Sequence, residues 1–477
     1  MKNNFIFSTT DIIKNKMDTN NYKYVVLQNR LKVLLISDEK ADKSGCSLCV
    51  NVGSFDETEI SGLAHFLEHL LFMGTEKYPD ENDYMNFLSM HNGSSNAYTC
   101  NDSTVYYFDV SNKYFNDALD RFAQFFIGPL FNKDSVDREI SAVNSEFLGT
   151  VSNDGNRRER FLQLCYKEEL EESRFDCGNS DTLRIKNIRE KVIDFYNNKY
   201  HPDRMACVVY SNKSIEEMEE IIKIFNDVPS EKTSNNTNNT SLTKYPCTRY
   251  NEYIQNVKKV NWYNLWSQYN DSDKIFKEDC VNKLLKLKSI EDTKRLDINI
   301  KTLHPNINNL LFDVLIEDIL KEDKGCIKIL KDLNLAYDMS VYIRPIKYYG
   351  IFKISVFLTD KGFENPILVV NEIENFLKNY EMLSSDIQKM VDHNEINFMY
   401  REKEDVIDMI EEISDNIMRV PIQNILNYEY LNNKPSKELI NEVMDSIRKR
   451  EEWVFFVSSN SFNLKSKDSI YGIEYEK

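Results

Sequence analysis

Residues 62–75 read GLAHFLEHLLFMGT, and the architecture of the first half of the chain turns on this stretch. On a helix at about 100° per residue, Leu63, Phe66, Leu67, Leu70 and Leu71 fall in one stripe, the spacing of a buried face. His65, Glu68, His69 and Phe72 fall on the opposite stripe. Gly74 stands where a helix end takes a left-handed residue. The spacing predicts a helix that packs by one face and presents two imidazoles and a carboxylate from the other.

That pattern carries chemistry. Imidazoles at i and i+4 are neighbours on a helix and can close on one ion. Zn²⁺ favours nitrogen ligands, and its catalytic sites keep a position open for water. Glu68 stands beside that position as a general base that need not ligate the metal. The order H-x-x-E-H is the inverted-zincin signature, in a chain holding only 6 histidines. Two glutamates downstream are candidates for a further role. DSVDREISAVNSEFLGT, residues 134–150, reads as a helix capped at Asp134 or Ser135, with Val136, Ile140, Val143 and Phe147 as its apolar stripe. Glu139 and Glu146, seven apart, project from one edge of that stripe.

The whole chain bounds the setting. It has 477 residues, 41% hydrophobic and 29% charged, a length for several domains of a water-soluble globular protein. No apolar run is long enough to cross a bilayer, and the first twenty residues lack the pattern of a secretory or transit leader, so no membrane partner is expected and the compartment is taken as cytoplasmic. The nine cysteines are odd in number and scattered, which reads as free thiols in a reducing compartment. Cys46 and Cys49, in an apparent strand, point to opposite faces and cannot share a metal. A formal net charge of −17 argues against a nucleic-acid partner.

The stretch 229–246, PSEKTSNNTNNTSLTKYP, is polar and reads as a linker or surface loop. On either side, short β-rich runs mix with helix-period segments, and each half closes on an apolar strand, RMACVVY or EWVFFVSS. The expectation is an α+β chain of two domains with one general plan, residues 1–240 and 241–477.

The motifs together resemble a known family. GLAHFLEHLLFMGTEKYPDENDYMNFLSMHNGSSNAYT, ALDRFAQFFIGPLF and DREISAVNSEF are similar to the insulysin/pitrilysin family of zinc peptidases, strongly over about residues 25–210 and loosely over 250–477. The resemblance implies two homologous α/β-sandwich domains of the insulysin/processing-peptidase type, the first catalytic and the second metal-free. It implies one Zn²⁺ per chain on His65, His69 and Glu146, with Glu68 as base and Glu139 orienting a ligand. It also implies that Ser95, Asn96, Ala97 and Tyr98 form an edge strand that pairs with peptide substrates, while Phe72 lines a side-chain pocket. Insulysin-type members are about twice as long, and this chain stops where a linker to their second half would begin. A second homologous half or a self-dimer is therefore an expected partner. EDILKEDKGC at 317–326 and GNRRERFLQ at 155–163 depart from the family's substrate-binding segments. Other readings are a subunit of a two-chain processing-peptidase-type complex and a catalytically weak regulatory or binding homologue.

Overall fold

The computed structural model describes residues 5–230 and 274–477, except 306–308, 347–348, 403–404 and 431–433; most of the linker stretch 229–246 lies outside the described residues. The fold is α+β, with two mixed seven-stranded sheets and their helices.

The first sheet is built from β1 (Phe7–Thr9), β2 (Asn21–Val26), β3 (Lys32–Ser37), β4 (Lys43–Val50), β5 (Ser94–Thr99), β6 (Thr104–Ser111) and β7 (Met205–Ser211), in the order β1-β2-β3-β7-β4-β6-β5. The apolar strand RMACVVY is β7, parallel to β3 and antiparallel to β4, and buried along its whole length. A strand covered on both faces reads as a continuous apolar run, which is why it stood out in the sequence. One face of the sheet meets α1 (Leu63–Leu71), α2 (Asp83–Met90), α3 (Phe115–Ile127) and α4 (Lys133–Val151) in a core rich in phenylalanine. The other face meets the helix Val406–Asn416, whose Ile410 and Ile413 pack among Tyr24, Leu34, Ile36 and Val208. Gly45 permits that approach, since a Cβ there would lie 2.9 Å from Ile410 Cδ1.

The second sheet runs β10 (Ala336–Pro345), β11 (Gly350–Leu358), β9 (Arg295–Thr302), β12 (Val454–Ser459), β8 (Leu284–Lys288), β14 (Glu474–Glu476) and β13 (Ser466–Lys467). EWVFFVSS supplies β12, which lies parallel to β8 and antiparallel to β9. The order β8-β12-β9-β11-β10 repeats β3-β7-β4-β6-β5 strand for strand in chain order. The shared plan is thus carried by topology, without a residue-level repeat.

Two compact units result. One comprises Met1–Phe147, Asp176–Lys259 and Phe398–Tyr428; the other comprises Leu148–Phe175, Val260–Asn397 and Glu429–Lys477. Among the described residues, two segments, Leu148–Phe175 and Phe398–Tyr428, lie across the division drawn at 240/241. The later one returns to the first unit because the helix Val406–Asn416 buries its isoleucines on that unit's sheet.

The strand reading around Cys46 and Cys49 holds. Cys46 and Cys49 lie in β4; Cys46 Sγ is 3.4 Å from Cys207 Sγ, while Cys49 Sγ faces Asp415 at 3.6 Å. The described cysteines are all free thiols.

Candidate metal centre

The GLAHFLEHLLFMGT segment forms α1, with Leu63, Phe66, Leu67, Leu70 and Leu71 buried in the core. Its start is fixed by two glycines and a carboxylate. Gly62 adopts φ +82°, and a Cβ there would lie 2.2 Å from the Cα of Gly178, so two backbones cross where no side chain fits. Glu57 accepts the N–H groups of Gly62 (2.9 Å) and Ala64 (2.8 Å), which have no partner inside the helix. Burial pushes the Glu57 carboxyl up to about 8, against the pull of those two N–H groups. The helix ends at Leu71, and Gly74 takes φ +85°.

The crossing at Gly62 delivers a functional contact. Cys177, next to Gly178, presents its carbonyl to His65 Nδ1 at 2.7 Å. Two residues after Gly178, the Ser180 N–H donates to Asn144 Oδ1 at 2.9 Å, tying this loop to the helix that carries Glu146. On the other imidazole, His69 Nδ1 meets Glu139 Oε2 at 3.1 Å. With both Nδ1 atoms engaged as donors, both Nε2 lone pairs are left facing one point, the usual arrangement behind metal-binding histidines.

That point is bounded by three atoms. His65 Nε2 and His69 Nε2 are 3.3 Å apart. Glu146 Oε2 lies 3.3 Å from the first and 3.5 Å from the second. Three vertices of a tetrahedron around Zn²⁺, with bonds of about 2.0–2.1 Å, would be separated by about 3.3–3.4 Å, so the donor set fits that ion. Among the described residues no other group of three or more His, Cys, Asp or Glu donors converges in this way. The surroundings call for positive charge. Burial opposes a proton on His65, yet the Cys177 carbonyl and the carboxylates of Glu146 and Glu68 raise its pKa to about 11. His65 in turn holds the Glu146 carboxyl below its ordinary range.

Glu68 lies on the same stripe of α1 but is buried, and its Oε2 accepts a hydrogen bond from the Thr99 hydroxyl at 2.6 Å. Burial raises its pKa, against the pull of His65 and Thr99. Thr99 ends β5, which pairs with β6 on one side and borders the sheet on the other. Within β5, Ser95 is engaged with Tyr84 and the Tyr107 carbonyl, and Ala97 packs on the core. On the other face of the strand Asn96 is exposed, and Tyr98 sets its ring against Tyr107. Phe72 follows α1 and joins Phe125 (5.1 Å between ring centroids), Tyr84 and Tyr106 in an aromatic group.

The structure thus brings His65, His69, Glu146, Glu68 and Glu139 together. Sequence reasoning did not assign roles to Glu57, Thr99 or the Cys177 carbonyl. Thr99 had a local signal, as the last residue of the quoted strand; the other two act from loops.

Three sequence profiles cover most of the chain: insulinase (peptidase family M16) over residues 32–172, the peptidase M16 inactive domain over 187–387, and the middle or third domain of peptidase M16 over 398–477. The chain belongs to the M16 insulinase family. Among its M16 relatives, the A-factor-processing enzyme of Saccharomyces cerevisiae is 31% identical over 80% of this chain and 35% of its own length. The insulin-degrading enzyme homolog of Dictyostelium discoideum is 44% identical over 44% of this chain and 22% of its own. Pitrilysin shares the fold, with a TM-score of 0.84 at 24% identity over 98% of this chain and 47% of pitrilysin. The chain therefore aligns with less than half the length of each of these M16 proteins. No helix among its described residues is long and apolar enough to cross a membrane.

Proposed function

We propose that the chain is a zinc metalloendopeptidase that hydrolyses peptides with water, using Glu68 as general base. The observation that carries this reading is the triangle of His65 Nε2, His69 Nε2 and Glu146 Oε2, with 3.3–3.5 Å edges, beside a buried carboxylate that is not one of its corners. Zn²⁺ held by that triangle supplies the Lewis acidity that makes water a nucleophile near neutral pH and polarises a carbonyl.

The chain's own residues do the rest. Glu68 takes the proton of the attacking water at its free oxygen and delivers it to the departing amine. The carboxylate of Glu139 and the carbonyl of Cys177 hold the two imidazoles in the tautomer and orientation that expose Nε2. Substrate joins β5 as an added strand, its main chain meeting Ser95, Asn96, Ala97 and Tyr98, so affinity depends little on sequence. The Phe72 aromatic group borders a pocket for one substrate side chain.

The partners in this reading are peptide substrates and a second homologous half or a second copy of this chain. Such a half would hold the added strand against the metal and exclude water. The comparison that favours this is length: the M16 relatives carry further sequence beyond the part this chain matches. The free thiols fit a cytoplasmic setting. The test is Glu68→Gln, which should keep one zinc and lose peptide hydrolysis; wild-type turnover in that variant would assign the base elsewhere.

A further inference from the structure

The turn joining β5 to β6 is gripped from two sides within the first unit. On one side the backbone of residues 53–55 docks on it: the Ser54 N–H donates to the Cys100 carbonyl (3.1 Å) and the Phe55 N–H to that of Asn101 (2.7 Å). Gly53 allows this contact, because a Cβ there would lie 2.3 Å from the Cys100 carbonyl oxygen. On the other side Arg419, just past the helix Val406–Asn416, places both arms of its guanidinium on the two oxygens of Asp102, each at 3.0 Å. The same Arg419 nitrogen that reaches Asp102 Oδ1 also donates to Asp415 at 2.9 Å. A bidentate pair of this kind fixes orientation as well as distance.

Thr99 is the residue immediately before that turn. Its hydroxyl has two neighbours, Glu68 Oε2 at 2.6 Å and Thr104 Oγ1 at 3.4 Å. Thr104 gives its own proton to the Val52 carbonyl at 2.9 Å. A hydroxyl has one proton, and the much nearer oxygen of Glu68 takes that of Thr99. The terminal torsion of a glutamate is soft, so an unheld carboxylate would sweep a broad arc. The hydrogen bond from Thr99 stops that motion and leaves the second oxygen of Glu68 for a reacting proton.

We propose that Thr99 is a positioning residue for Glu68, and that Arg419, acting through Asp102, holds Thr99 in place. This rests on the reading of Glu68 as the base. Loss of the hydroxyl in Thr99→Val should lower kcat by about 10–100-fold with KM within about twofold and zinc content unchanged, the usual size of an orienting effect. Thr99→Ser should recover most of that loss. Arg419→Lys, which keeps the charge but not the fork, should lower kcat by about 3–10-fold. The double variant should be no slower than Thr99→Val alone, because both changes act through one contact.

The closing experiment pairs that cycle with crystal structures of the zinc-loaded wild type and Thr99→Val, which read the Glu68 rotamer without any turnover. A turned Glu68 carboxylate in Thr99→Val, with the Ser rescue, supports the proposal. An unmoved Glu68 with unchanged kcat, additive losses in the double variant, or loss of zinc from Thr99→Val would each overturn it. If the wild-type chain shows no hydrolysis at all, the peptidase reading fails, while the Glu68 rotamer still decides whether Thr99 positions it.

Discussion

Two helices hold the same place in two sheets of one topology. In the first unit α1 lies between β4 and β5; in the second, Asn309–Leu320 lies between β9 and β10. Both bury a leucine-rich face: Leu63, Leu67, Leu70 and Leu71 in one, Leu310, Leu311, Leu315 and Ile319 in the other. The remaining positions differ in kind. α1 offers His65, Glu68 and His69, whereas the second helix offers Asp313, Glu317 and Asp318. Asp318 is occupied by the Tyr380 hydroxyl at 2.6 Å and by Lys321. The scaffold is therefore shared, and the chemistry depends on residues that the scaffold tolerates without requiring. Supporting groups make a further difference, since Glu57, Glu139 and the Cys177 carbonyl converge on α1 from three other segments.

This contrast can be broken or sharpened by experiment. The largest effect is expected from Glu68→Gln, which should lower kcat by about 10²–10⁴-fold with zinc retained. The matching change on the second helix, Glu317→Gln, should leave both zinc and turnover unaltered; a comparable loss there would erase the distinction between the helices. Next come core truncations. Phe66→Ala and Leu315→Ala should each cost about 2–5 kcal/mol in denaturant unfolding, since both side chains are fully buried. Only Phe66→Ala should weaken zinc binding, because of the two only Phe66 anchors the helix that carries the two histidines to its core. Glu139→Ala should weaken zinc binding by about 10–100-fold in competition with a chelator, with the fold intact by circular dichroism. A smaller effect is expected from Glu57→Ala. It removes the acceptor for two helix N–H groups and should cost about 1–2 kcal/mol in urea unfolding.

How much of this was legible in the sequence follows from where each interaction originates. The stripe of α1, its histidines and its terminal glycine are local, set by helical period and backbone conformation. So too are Glu139 and Glu146 on one helix, and the apolar runs that became β7 and β12. The Cys177 carbonyl reaches His65 across 112 residues, through a backbone crossing that depends on Gly62 and Gly178. No periodicity announces a carbonyl acceptor, and a Gly is equally at home in a turn. The return of Val406–Asn416 to the first sheet was hidden for a related reason. An amphipathic helix states that it has a buried face but not which sheet will cover it. Arg419 was illegible with it, as its partners Asp102 and Ser103 lie more than 300 residues away in sequence.

The central claim is that His65, His69 and Glu146 together hold one Zn²⁺, and metal analysis of the purified chain beside His69→Ala tests it most directly. His69 supplies one corner of the triangle, and its removal leaves two donors and an open side. The account predicts one zinc per chain in the wild type and none retained after dialysis in His69→Ala, with secondary structure unchanged. A full equivalent of zinc in the variant would contradict it.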